Sequence, residues 1–222
     1  LHVHRKDAYY QRGQHDGDGD DGERLHQPVQ VVADDRHPGI HHAGQNVRVD
    51  FGLLVALTVF DEQIVDDFES YTDKAGAEVF SAWIDGFADN YKSSGSTVGL
   101  ATAKNGTFCE TTIFHGGKQS MPLAYDNTKA PLSETTRTFA DAQDWTKHGY
   151  KTLALSFYGD PNNAGQMYLK INSTKILYNG KAEDLKRTQW QPWNIDLATS
   201  GADLKSVQKI AIGVDGTGAS GI

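Results

Sequence analysis

The chain has 222 residues, a formal net charge of −8, 23% charged and 38% hydrophobic side chains, and one cysteine. Those numbers exclude a fold held by an internal disulfide, and they offer no basic face for nucleic acid or an anionic membrane. Composition also divides the chain: seven of nine histidines lie within the first 42 residues, whereas all four tryptophans follow position 80. Residues 1–63 carry 6 basic and 11 acidic side chains, and residues 64–222 carry 15 and 18.

Residues 1–63 read as an irregular or disordered leader. Clusters such as HDGDGDDGER and DDRHPGIHHAG have no helical or strand period and too little apolar surface to offset ordering entropy. Asp16, Asp18 and Asp20 imitate the first ligands of a calcium loop, but Asp21 and Gln27 stand where such a loop needs glycine and glutamate. The run FGLLVALTVF, Phe51 to Phe60, is far shorter than the ~20 residues that span a bilayer, so no membrane span is expected. It reads as a strand or short helix docked on the domain that follows.

From Ile64 the chain settles into short apolar runs split by Gly, Asn and Asp. The expected strands are Ile64–Glu69, Thr97–Ala101, Thr111–His115, Gln119–Tyr125, Ser133–Phe139, Lys151–Tyr158, Gln166–Ile171, Lys175–Tyr178, Gln189–Asp196 and Ser206–Val214. In KTLALSFY, Leu153, Leu155 and Phe157 alternate with Thr152, Ala154 and Ser156. Turn signals lie between the runs, including Asn105-Gly106, Gly116-Gly117 and GDPNNAG at 159–165. Short strands in this rhythm predict an all-β antiparallel sandwich or jelly roll over 64–222. Pro192 places its strand at an edge or on a bulge. Cys109, in the strand-like TFCETTIF, reads as a small buried apolar residue.

Aromatic residues with neighbouring amides or carboxylates are the pattern a glycan binder needs, because a ring stacks on a sugar's C–H face while polar groups bond its hydroxyls. Trp83 with Asp85, Tyr125 with Asn127, Trp145 with Asp144, and Tyr158 with Asn162 and Asn163 form such couples. Each ring could equally fill the core. Trp190 and Trp193, three apart on one strand, should face opposite sides, which exposes one of them. His115 lies near Ser120, Asp126 and Glu134, but no nucleophile elbow, phosphate loop or zinc-protease helix occurs, so no catalytic residue is expected.

The strings DDFESYTD, WIDG, HGGKQSMPLAYDN, TRTFADAQDW, LALSFYGDPNNAGQMYL, WNIDL and IAIGVDGTG together resemble a jelly-roll domain of secreted planctomycete-type bacterial proteins. In broader outline the region is similar to calcium-containing β-sandwich carbohydrate-binding modules. The resemblance implies a secreted or surface location, a polysaccharide or glycan partner, and attachment to other domains of a larger parent protein. It implies a structural Ca²⁺ held by Glu69, with Asp67, opposite the Gly117–Lys118 backbone. It also implies a closing strand after Gly221-Ile222, so that 64–222 would be a jelly roll lacking its last strand, with an open slot between its neighbours.

Overall fold

A computed structural model of the protein describes residues 64–128, 130 and 132–222, together with the strand backbone of 46–50. The calcium-loop imitation at 16–27 and the run FGLLVALTVF lie outside the described residues. The chain order is β1 (Asn46–Asp50), a one-turn helix α1 (Val79–Ala82), β2 (Trp83–Ile84), β3 (Thr97–Val98), β4 (Leu123–Asp126), β5 (Leu132–Gln143), β6 (Thr152–Tyr158), β7 (Gln166–Ile171), β8 (Thr174–Leu177), β9 (Trp190–Asp196), β10 (Val207–Asp215) and β11 (Ser220–Gly221). Single 3-10 turns cover Gly86–Asp89 and Ala182–Lys186.

The fold is all-β and sandwich-like. One sheet has the order β2-β5-β10-β7-β8, and two three-stranded sheets have the orders β1-β6-β9 and β11-β4-β3. All described pairings are antiparallel except β1 with β6. Period-2 patterning produces the core. Leu153, Leu155 and Phe157 of β6 pack in one cluster with Leu169 and Ile171 of β7, Trp193 and Ile195 of β9, and Ile210 and Ile212 of β10. Ala154 and Ser156, on the other face of β6, are buried as well. Pro192 sits on β9, which among the described strands pairs only with β6, an edge position that suits its missing N–H.

Four expected strands are absent or shortened. Ile64–Glu69 is a knot of turns, Thr97–Ala101 keeps only Thr97–Val98, Gln119–Tyr125 keeps only the part that lies in Leu123–Asp126, and Thr111–His115 is bent rather than extended. In the last case the Glu110 carboxylate captures both the N–H (2.6 Å) and the hydroxyl of Thr112. A local side-chain bond of this kind offers the backbone an alternative to a ladder, and here it wins over the β-propensity of Thr111, Thr112 and Ile113.

The knot at 64–71 is built on Asp66, a buried carboxylate. Its Oδ1 accepts the Phe68 N–H at 2.9 Å, and its Oδ2 accepts the Tyr71 hydroxyl at 2.6 Å and the Trp83 indole N–H at 2.8 Å. Arg137 of β5 closes the group as an ion pair on the same oxygen. Phe68 adopts φ +59°, a left-handed backbone that costs a bulky residue on the order of 1–3 kcal/mol. The cost is offset by complete burial of the ring and by Gln119 Nε2, which donates to the carbonyls of Phe68 (2.6 Å) and Tyr71 (2.9 Å).

Candidate functional site

Tyr158 ends β6 and pairs directly with Trp190, which begins β9. Along β9 the side chains alternate, so Trp193 is buried while Trp190 is half-exposed on the opposite side. The Trp190 ring meets Tyr158 edge-on at 5.6 Å between centroids and His115 edge-on at 5.2 Å. His115 is exposed, and it reaches this place on the bent segment after Glu110. Beside the trio lies an open cavity of about 170 Å³, walled by Leu100, Ile113, Pro122 and Tyr158, with Glu110 and Asp160 supplying carboxylates. Burial raises the Glu110 pKa, but the Thr112 hydroxyl and neighbouring backbone N–H groups outweigh it and hold the group below the usual carboxylate range. Asp160 Oδ1 accepts both the N–H and the side-chain amide of Asn162. The corner therefore combines partly open aromatic rings with hydrogen-bond acceptors.

A second cavity, about 240 Å³, lies between β8 and β9 and is polar, with Asn179, Asn194, Asp196 and Ser200 on its walls. Its aromatic neighbour, Trp193, is buried and offers no ring face.

The other sugar-binding candidates are core or structural groups. Trp83 and Trp145 are 0% exposed, and neither has a face open to a ligand. Trp83 serves Asp66, and Trp145 donates its indole N–H to Gln143 at 3.0 Å. Asp85 caps the 3-10 turn through the Phe87 N–H and accepts the Val98 N–H at 2.6 Å. Tyr125 hydrogen-bonds both backbone groups of Ala164 through its hydroxyl. Asn127 is buried and donates to the carbonyls of Val214 and Gly216 while accepting from Ser133. Tyr158 alone of the six stands at the aromatic corner. Trp190 was expected only as one of an alternating pair; His115 had no such signal, because it reaches Trp190 through a loop rather than a strand register.

The clamp expected at Glu69 does bring its residues together, by a different chemistry. Glu69 Oε1 accepts the N–H groups of Lys118 (2.9 Å) and Gln119 (3.2 Å), while Asp67 Oδ1 accepts the Glu69 N–H at 3.1 Å. A Cβ added at Gly117, whose φ is +68°, would lie 2.3 Å from Glu69 Oε1. The donors facing the carboxylate are N–H groups rather than the 6–8 oxygens that Ca²⁺ takes, and no three His, Cys, Asp or Glu side chains converge among the described residues.

The polar neighbours of His115 in sequence are committed elsewhere. The Ser120 hydroxyl lies against the carbonyls of Glu110 and Ile113, and Glu134 binds the Tyr168 hydroxyl and Lys170. Cys109 is buried, which pushes its thiol pKa up to about 12. No helix among the described residues is long and apolar enough to cross a membrane. No known family model matches the chain, and comparison with curated proteins returns no significant match.

Proposed function

We propose that residues 64–222 form a non-catalytic carbohydrate-binding module of the jelly-roll kind, working at a cell surface or outside the cell as part of a larger protein. The observation that supports this reading is the Trp190–Tyr158–His115 corner with its adjoining carboxylates. Neither the Trp190 indole N–H nor the Tyr158 hydroxyl has a hydrogen-bond partner among the described residues, so both remain available to a sugar. A pyranose would lay its C–H face on the open part of Trp190 while Asp160, Glu110 and Tyr158 bond hydroxyls. Recognition in this scheme runs through no metal.

The competing reading is a structural or adhesive domain with a protein partner, or the accessory domain of a polysaccharide hydrolase. The exposed apolar side chains Ile113, Phe114 and Ile222 favour a protein partner. A glycan array probed with the wild-type chain and with Trp190→Ala separates these. The carbohydrate reading expects a defined set of glycans whose binding falls about tenfold in the variant. Silence across the array, with capture by a protein ligand, would establish the rival.

A further inference from the structure

β8 and β9 are the last described strands of two different sheets, and both line the polar cavity of about 240 Å³. Ladder parity shows which backbone groups turn toward it. The Tyr178 N–H donates to the Met167 carbonyl at 2.9 Å, so the even-numbered residues of β8 bond β7, and the N–H and C=O groups of Lys175 and Leu177 point away from it. The Leu197 N–H donates to the Lys151 carbonyl at 2.8 Å, so the odd-numbered residues of β9 bond β6, and the backbone of Asn194 and Asp196 points away. All four residues line the cavity. The side-chain amides of Asn179 and Asn194 join them, one from each wall, and neither has a hydrogen-bond partner among the described residues. The walls are set before any ligand arrives. Lys175 Nζ lies 3.8 Å over the Tyr168 ring and 2.7 Å from Asp215 Oδ2, which ties β8 across β7 to β10. The Tyr178 hydroxyl donates to Asp184 Oδ2 at 2.8 Å and its ring meets Trp193 edge-on at 5.3 Å, fixing the start of the turn that carries Asn179. On the other wall Asp196 Oδ1 accepts the Ala198 N–H at 2.9 Å, and Ser200 Oγ donates to the Leu197 carbonyl at 2.8 Å.

We propose that this cavity is a second binding site, which takes a single ring of a neutral sugar. Its lining is amphipathic: Ile176, Trp193 and Ile195 supply hydrocarbon, while the two amides and the outward backbone groups supply donors and acceptors from both walls. A pyranose is divided in the same way, with C–H on its faces and hydroxyls that both donate and accept around its rim. An anion is disfavoured, because the lysine on the wall is committed to Asp215. A cation meets one carboxylate, Asp196, whose Oδ1 already accepts an N–H. An added strand finds no continuous template, because the two edges belong to different sheets, β8 spans four residues, and Pro192 removes a donor from the β9 edge. The volume lies below the roughly 300–1,000 Å³ of pockets for drug-sized molecules, which limits the ligand to one ring. The site shares no lining residue with the cavity at the aromatic corner, and Trp190 lines neither.

The test titrates the isotope-labelled full chain with the methyl glycosides of glucose, galactose and mannose and follows it by NMR. At least one glycoside should give saturable shifts of the Asn179 and Asn194 side-chain amides and of the Leu177 and Asp196 backbone N–H groups. Asn179→Ala/Asn194→Ala should weaken that binding about tenfold, with an unchanged thermal midpoint because both residues are exposed. Asn194→Ala alone should give a smaller loss, and it decides the question if the double variant does not fold. Trp190→Ala should leave the shifts intact, so a failure of this site and a failure of the aromatic corner are separable. The proposal is overturned if no glycoside shifts these amides, if the shifts are undiminished in both asparagine variants, or if they vanish in Trp190→Ala. Equal shifts with acetate or methylammonium, as charged probes of the same surface, would show an unselective polar edge and overturn it too.

Discussion

At the scale of single residues, the domain is tied by carboxylates that accept several donors each. Asp66 satisfies an indole, a phenol, a backbone N–H and a guanidinium at once. Replacing it in Asp66→Asn leaves the partly buried Arg137 charge without its counter-ion, and breaking such a pair costs about 3 kcal/mol. Urea unfolding should show that loss, and an unchanged midpoint would mean that Arg137 finds solvent instead. Gly117→Ala places a methyl group against the Glu69 carboxylate and strains a left-handed backbone, so it should cost about 1–3 kcal/mol. Thermal unfolding checks it. Glu69→Ala in the Gly117→Ala background should then add little further loss, because the two changes break one contact.

At the scale of elements, the sheet strands were legible where alternation ran for six or more residues. β6, β7, β9 and β10 fall within a residue of their expected bounds, because KTLALSFY and its partners carry a long apolar face. Short segments depart from their strand-like composition for a physical reason. Ile64–Glu69 and Thr111–His115 have strand-like composition, yet Asp66 and Glu110 bond backbone N–H groups two residues ahead and fold each segment into turns. β2 follows a one-turn helix and spans two residues, too short for any period to show. The site was legible in part. Tyr158 and the split between Trp190 and Trp193 follow from strand parity, whereas the burial of Trp83 and Trp145 depends on tertiary packing, and the arrival of His115 depends on a loop.

At the scale of the whole molecule, buried phenols set the alkaline limit of stability. Burial comes first in pushing the pKa of Tyr71, Tyr168 and Tyr178 above its ordinary value, with Cys109, Glu134 and Asp184 respectively adding to the effect. A raised folded pKa means that the folded chain keeps protons which the unfolded chain releases. The associated stability is complete below about pH 10, the ordinary tyrosine value, and falls as pH rises beyond it. Urea midpoints should therefore decline above about pH 10, and the decline should be shallower in Tyr168→Phe. A flat profile would mean that these hydroxyls are not confined in the fold.

In the proposed carbohydrate-binding role a glycan covers the Trp190 ring, and the accessibility of that ring gives the most direct measurement. Trp83, Trp145 and Trp193 are buried, so collisional quenching by acrylamide reports mainly on Trp190. Addition of a glycan selected on the array should shield the quenchable fluorescence, and Trp190→Phe should abolish both the quenchable component and its shielding. Quenching that no glycan alters, or shielding that survives in Trp190→Phe, would contradict the account.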